Sequence, residues 1–510
     1  MVDDDLQETT DIIICGCGPT GAMLSVLLSQ YSIPHVILEK DMEVNADPRG
    51  IALDEDGIRY LQACGIYDKI FTEIGQCMEN FRFIGKNYTE LNREPFLIMN
   101  YGTTEGGTGH PGFMCHKQPC IEQNLRTQIT ALGTAKLRLG STVNPITEDK
   151  DWVYARYTNK SNQTGIVRAR FLVGADGKTG FTRKQYLQPK GVTMDQALDV
   201  PYEQDWVALN WEISLPTPSS HPDFPLWEKG YTPQQVYDEF FPLDFRFLCN
   251  PVRAAVCGRF GLNSDRLWRF EFVVLVGENP IEMAKEDQVA AIVHPYITHL
   301  GSRYAQLVPS WKHWLQLGNR RDGMTKYQWK PGTGMAFLPS LGGGVMFPQV
   351  YAASTTHSLT RQPVFFTDDI IFDRQKKGIF QVVVIMQLGG SIDDIEAALD
   401  GLQELSAGAL QDREATWFLD STDSPRSHLK GPSIYRLASA EEFAREPRLC
   451  AGRPEPVGYD ALRMSKEVGE KTFVILRPDR FVFAACDTRS ELLYAAEMLR
   501  DLVTTGWVAI

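Results

Sequence analysis

Apolar positions along this chain fall into three patterns. Asp11–Cys15 (DIIIC), VVVIM at 382–386 and TFVILRPD at 472–479 are short runs rich in branched residues, which predicts buried strands. HVILEK at 35–40 and FLVGAD at 171–176 predict further strands. AMLSVLLSQY at 22–31 and SELLYAAEMLRDLV at 490–503 carry apolar residues at helical spacing. From about 187 to 308 short alternating runs take over: DWVALNWEISL, FRFLCNP and RLWRFEFVVLVG. Those predict antiparallel strands with one wet face.

Between the first strand and the first helix lies Gly16-Cys17-Gly18-Pro19-Thr20-Gly21, a G-x-G-x-x-G turn. The second strand then ends at Glu39, followed by Lys40. Strand, glycine turn, helix, strand and terminal acid together predict a dinucleotide-binding βαβ unit. Gly16 permits the tight turn, Gly18 lets backbone approach a pyrophosphate, and Gly21 lets the helix pack on the strand. The free N–H groups of the helix start would face the phosphates. Glu39 would accept the ribose hydroxyls and repel a 2′-phosphate. The bland alternative is a glycine-rich turn that binds nothing.

Composition narrows the class of partner. The chain has 510 residues, so two or three domains are expected. A formal net charge of −13, with no Lys/Arg run, speaks against nucleic acid or an anionic membrane. The N-terminus MVDDDLQETT lacks the features of a signal peptide, and no apolar run approaches the roughly 20 residues of a membrane span. The ten cysteines are scattered, without metal-ligand spacing or C-x-x-C. The reading is a cytoplasmic protein with reduced, structural thiols and no metal.

Further along, Asp47-Pro48-Arg49-Gly50 is followed by a helix, DGIRYLQACGI, starting just after Asp54. HKQPCIEQNLR at 116–126 and FLVGADGKTGFTRK at 171–184 complete the set. With the glycine turn, these segments resemble the flavin-dependent aromatic hydroxylases, the phenol hydroxylase and 4-hydroxybenzoate hydroxylase group. The resemblance implies FAD and NADPH as cofactors and a small aromatic substrate with O2. It implies hydroxylation of a phenolic ring through a C4a-hydroperoxide of the flavin. It places Arg49, Gln118, Asp176, Gly177 and Arg183 at the cofactor, beside Gly16, Gly18, Gly21, Glu39 and Lys40. Asp54 falls where phenol hydroxylases place a base or phenol-orienting residue. Asp54 reads equally as a helix N-cap, and Arg49 alone as a surface cation.

The resemblance also implies an architecture. The fold class is α/β, with a Rossmann-like FAD-binding domain over 1–186 into which part of the substrate sheet is inserted near 80–115. An antiparallel-sheet substrate domain over 187–304 and a thioredoxin-like C-terminal domain over 342–510 complete it. The last reads as a packing and dimerisation module. RLWRFEFVV resembles the family strand over the substrate, although its aromatics suit plain core packing as well. The family's second flavin segment, a Gly-Asp strand end with Ala-Ala-His, has no counterpart in the junction at 305–341. A second reading therefore stands beside the hydroxylase: a degenerate paralogue or mis-spliced product acting as a binding or accessory protein.

Overall fold

A computed structural model of the chain describes residues 7–46, 50–86, 89–193, 204–297, 336–355, 363–387, 390–423 and 434–505. Chain contacts divide it into two units, residues 1–101 with 113–319, and residues 102–112 with 320–510.

The first unit opens with β1 (Gln7–Thr9) and β2 (Ile12–Cys15), then helix α1 (Pro19–Gln30) and β3 (His35–Leu38). With β9 (Ala135–Arg138) and β13 (Phe171–Gly174) they form a sheet in the order β13-β2-β3-β9. All three pairings are parallel. Ile13 and Ile14 are fully buried on opposite faces of β2. This is why an unbroken branched run reads as a central parallel strand. Helix α4 (Gln118–Leu132) covers one face, packing Ile121, Leu125 and Ile129 against the cluster that holds Ile14, Ala22 and Val26. On the other face a group of β10 (Thr142–Glu148), β11 (Val153–Thr158) and β12 (Thr164–Ala169) takes in β1 and covers Ile13 and Val36.

A small antiparallel sheet, β4-β8-β5, joins β4 (Ala52–Asp54), β5 (Gly75–Cys77) and β8 (Phe113–His116). Helix α2 (Glu55–Ala63) follows β4, and the short α3 (Tyr67–Lys69) follows α2.

The larger sheet contains β6 (Asn80–Gly85), β7 (Leu97–Asn100), β14 (Trp206–Glu212), β15 (Phe245–Cys249), β16 (Ala255–Phe260) and β17 (Leu267–Val273). Its order is β14-β17-β16-β15-β6-β7. One pairing departs from the antiparallel expectation: β15 runs parallel to β6. These two strands are distant in sequence, so no hairpin dictates their direction. One face packs Trp268, Phe270 and Phe272 against Met283 of α6 (Pro280–Met283) and Val289, Val293 and Tyr296 of α7 (Glu286–Ile297). The other face is drier than simple alternation predicts, since Arg269 is only 2% exposed. Helix α5 (Pro233–Phe240) starts at Thr232, which caps it in a capping box with Gln235.

The second unit is built on a seven-stranded sheet. Its strands are β18 (Tyr351–Ser354), β19 (Val364–Phe366), β20 (Gln381–Met386), β21 (Thr416–Leu419), β22 (Ile434–Leu437), β23 (Phe473–Leu476) and β24 (Val482–Cys486), in the order β19-β18-β22-β21-β20-β23-β24. Strands β20, β21 and β22 are parallel, and β23 and β24 form an antiparallel hairpin beside β20. The C-terminal helix Arg489–Thr505 buries Leu492, Ala495, Ala496, Leu499 and Leu502. That is the amphipathic closing helix its spacing predicts. The excursion 102–112 is built into this unit: Gln349 Nε2 donates to the Thr108 carbonyl at 2.6 Å and Tyr351 Oη to the Gly109 carbonyl at 2.6 Å.

Among the described residues no helix is long and apolar enough to cross a membrane. None of the described residues forms a group of three or more potential metal ligands. The junction over 305–335 lies outside the described residues, and with it the expected break in the flavin segment.

Candidate functional site

The glycine turn sits where the parallel sheet hands the chain to α1. Gly16 adopts φ +100°, and a Cβ there would lie 2.4 Å from the Ala175 carbonyl oxygen and 2.9 Å from Asp176 Cα. A Cβ on Gly21 would lie 2.1 Å from the Gly16 carbonyl oxygen. Both glycines are thus required by close packing of strand, turn and helix. Gly18 differs. It is the N-cap of α1, and a Cβ there would meet nothing within 4 Å. No side chain caps the helix, and Pro19 occupies its first turn. The first N–H groups of α1 thus have no side-chain cap, and the positive end of the helix dipole lies behind them.

Glu39 is buried at the end of β3 and grips this turn. Its Oε2 accepts the Cys17 N–H at 2.6 Å and its Oε1 accepts the Asp41 N–H at 2.8 Å. A carboxylate offers about four acceptor sites, so capacity remains for ribose hydroxyls. Lys40, next in the chain, is exposed.

Helix α4 presents Gln118, Glu122 and Arg126 at i, i+4 and i+8, one face of a helix. Gln118 Oε1 accepts the Gly50 N–H at 2.9 Å, and its Nε2 donates to Glu122 Oε1 at 2.8 Å. Burial raises the Glu122 carboxyl above its ordinary value, against the opposing pull of Gln118 and Arg126. Arg126 was not singled out from the sequence. Its guanidinium reaches the Cys17 thiol inside the glycine turn and pulls that thiol down, while burial pushes it up to about 11. Arg126 Nε is buried without a hydrogen-bond partner. The legible signal was its spacing of two helical repeats from Gln118.

Asp176 and Gly177 follow β13, beside β2. Asp176 Oδ2 accepts the Thr182 N–H at 2.9 Å and the Thr182 hydroxyl at 3.1 Å, which folds the loop back on itself. Gly177 has φ +83° and open space at its Cβ position. Arg183 Nε donates to the Lys178 carbonyl at 2.9 Å, so this cation closes its own loop. Asp54 ends β4 and caps α2, its Oδ1 accepting the Gly57 N–H at 2.9 Å. The capping alternative is realised in the fold. Arg49 lies outside the described residues. The structure thus gathers Gly16, Gly18, Gly21 and Glu39 with Ala175 and Asp176, and ties Gln118 to the chain beside Arg49.

Space at Gly18, an uncapped helix start and a carboxylate at the end of β3 fit the diphosphate and ribose of an adenine dinucleotide. The family described as "FAD binding domain" matches residues 9–226, the stretch that holds all of these elements.

Relatives extend the comparison. The chain is 26% identical over 294 residues to a probable NADH-specific resorcinol 4-hydroxylase of Rhodococcus jostii, covering 57% of this chain and 48% of that one. It is 23% identical over 309 residues to a 3-(3-hydroxy-phenyl)propionate/3-hydroxycinnamic acid hydroxylase of Paraburkholderia xenovorans, covering 57% and 40%. These matches span less than half the length of those relatives. Over nearly the whole chain the fold is similar to the flavin-dependent monooxygenase PieE, with a TM-score of 0.61, 12% identity and 98% of this chain covered. The same holds for aklavinone-11 hydroxylase, with a TM-score of 0.61, 12% identity and 98% covered. The chain is thus similar, over the stretches given, to proteins named as aromatic hydroxylases.

Burial pushes Cys15 and Cys486 up to about 12, far from a thiolate at neutral pH.

Proposed function

We propose that this flavoprotein is an aromatic-ring monooxygenase that uses a reduced nicotinamide and O2 to hydroxylate a phenolic compound. Bound FAD would supply the oxygen activation. The protein's own residues bind, orient and exclude water. The observation that carries the reading is the open space over Gly18, beside packed glycines and the buried Glu39, in a chain whose relatives are named as hydroxylases.

In this reading Gly18 and the first turn of α1 hold the diphosphate, and Glu39 accepts the ribose hydroxyls. Gln118 and Arg49 hold the part of the cofactor nearer the ring, while Lys40, Asp176 and Gly177 line the adenosine and diphosphate sides. Arg183 acts by closing the loop that carries Asp176. Asp54 orients or deprotonates the phenol in addition to capping α2. The nicotinamide expected from the sequence is NADPH, whereas the resorcinol relative is named NADH-specific. Glu39 near a ribose also disfavours a 2′-phosphate, but that ribose belongs to FAD and leaves the choice of reductant open. The second unit reads as thioredoxin-like from its order of strand, helix, parallel strand, antiparallel hairpin and closing helix. Self-association through it and a cytoplasmic setting complete the proposal.

The test is direct. The purified chain should be yellow, release flavin on heating, and consume O2 with NADH or NADPH faster when resorcinol is added, yielding a hydroxylated product. A yellow protein with no phenol-dependent turnover would favour the accessory-protein reading. A colourless protein whose melting temperature FAD does not raise would overturn both cofactor and activity.

A further inference from the structure

Helix α5 and the turn between β16 and β17 line a cleft of about 480 Å³ in the first unit. It lies on the face of the large sheet that packs against α6 and α7. Arg259 fixes that placement, because it pairs across the ladder with Trp268, and directly opposite residues share a face. Trp268 belongs to the cluster that holds Met283 and Val293. Cys115 of β8, the strand that leads to Gln118, packs on the other face with Phe245 and Phe260. The cleft is thus a place apart from the glycine turn and from the strand that leads to α4.

Two guanidinium groups line it with donors to spare. Arg259 has a side chain only 4% exposed. Its Nε donates to the Phe241 carbonyl and its Nη2 to Asp238 Oδ1 at 2.5 Å, and its Cζ lies 4.1 Å from the centroid of the Tyr237 ring. Arg266 donates from Nε to the Ile213 carbonyl at 3.0 Å and from Nη1 to the Ser264 carbonyl at 3.3 Å. Among the described residues Arg259 Nη1 and Arg266 Nη2 have no hydrogen-bond partner, and Arg266 has no ion pair. Carbonyls fix the Arg266 guanidinium without neutralising it.

The rest of the lining is polar. Asn263 and Ser264 supply an amide and a hydroxyl from the turn, Gln234 supplies a second amide from α5, and Leu243 is the apolar wall. Asp238 is the acid of the lining. Its Oδ1 accepts from Arg259 and from Gln234 Nε2 at 3.0 Å, and the side chain is half-exposed, so water screens it. The neighbouring Asp265 is committed to Lys117 at 2.7 Å. Two arginines against one aspartate leave the lining with a surplus of positive charge, in a chain whose net charge is −13.

A donor-rich lining with a surplus cation suits a ligand rich in acceptors. A phosphoryl group offers three oxygens where a carboxylate offers two, and the planar guanidinium fork matches it. The volume lies in the range of small-molecule sites and exceeds a bare phosphate ion, which leaves room for a small polar body. We propose that this cleft binds a phosphate monoester, its phosphoryl group held by Arg266 Nη2 and Arg259 Nη1.

The test is calorimetric titration of the full chain in excess FAD, which keeps other phosphates off the glycine turn. The probes are glycerol 3-phosphate, inorganic phosphate and glycerate. Glycerol 3-phosphate should bind with a Kd of about 1 mM or below, at least about tenfold tighter than glycerate, with inorganic phosphate between them. Gln234→Glu adds a carboxylate to the lining in the first turn of α5, where the helix dipole tolerates an acid, and should weaken glycerol 3-phosphate about tenfold. Arg266→Asn removes the surplus cation, and Asn suits the left-handed backbone at φ +51°; it should weaken binding about tenfold or more. Asp238→Asn keeps an acceptor for Arg259 and removes the acid, so binding should tighten several-fold. Circular dichroism and urea unfolding establish that each variant is folded; should Arg266→Asn fail to fold, the opposite shifts in Gln234→Glu and Asp238→Asn carry the result. Because these variants sit in the cleft, their effects locate the site whether or not the chain hydroxylates a phenol. The proposal is overturned if the parent chain does not bind glycerol 3-phosphate below about 10 mM, if glycerate or inorganic phosphate binds as tightly, or if Gln234→Glu and Asp238→Asn leave the Kd unchanged.

Discussion

The Glu39 carboxylate accepts the Cys17 N–H at 2.6 Å, so the acid that ends β3 also holds the turn that opens α1. Glu39 and the glycine turn are one mechanical unit. Replacing Glu39 with Ala removes a charge-assisted acceptor from a buried N–H. FAD affinity should fall about 10- to 100-fold, read by flavin fluorescence titration, and the protein without cofactor should lose about 1–3 kcal/mol in urea unfolding. An unchanged FAD Kd would remove Glu39 from the site.

The three glycines of the turn should respond differently to Ala. Gly18→Ala places a methyl group in empty space at φ −71°, so unfolding of the cofactor-free protein should be nearly unaffected while FAD binding weakens. Gly16→Ala and Gly21→Ala put Cβ against backbone atoms, and Gly16 is also left-handed. Each should cost about 2 kcal/mol or more in stability before any cofactor is added. Equal effects of Gly18→Ala on apo stability and on binding would mean that the space above it is not a ligand site.

Asp54 separates capping from chemistry by substitution. Asp54→Ala removes the acceptor for the Gly57 N–H and should cost about 1 kcal/mol of stability. Asp54→Asn keeps a good cap, so stability should stay near that of the parent while phenol-dependent turnover drops. Full turnover in Asp54→Asn would confine this residue to capping.

His116 should make the fold acid-sensitive. Burial lowers its pKa from 6.5 to about 4, so it is neutral in the folded chain at pH 6. Below about 6.5 the unfolded chain takes up a proton that the folded chain refuses until pH approaches 4. The contribution is therefore intact above pH 6.5 and is lost progressively as pH falls toward 4, by about 3 kcal/mol. Urea unfolding of the parent and of His116→Gln at pH 7.5 and 4.5 checks this. The parent should lose more stability between those values than the variant, and equal losses would dismiss His116 as the cause.

Much of the fold was legible because its signals are local. The run DIIIC, the glycines after it and the apolar helix each specify their own geometry, and in combination they specify a βαβ unit that nothing later in the chain contradicts. The strands FRFLC and RLWRFEFVV were equally plain. Their pairing was not: β15 runs parallel to β6 because a segment from the region near 80–115 reaches it, and no hairpin signal encodes a partner so far away. The destination of residues 102–112, built into the second unit, was hidden for the same reason.

For the site, the sequence by itself determined that a glycine turn joins the first strand to α1 and which acid ends the second strand, since both follow from backbone geometry within one supersecondary unit. Only the tertiary structure decided what those residues touch. It turned Glu39 onto the Cys17 N–H, brought Arg126 from a later helix to the same turn, and spent Asp54 on a helix cap. It also brought Gln234 of α5 into one cleft with Arg259 and Arg266. Such distances between side chains arise when separate strands and helices pack together, and no periodicity along the chain records them.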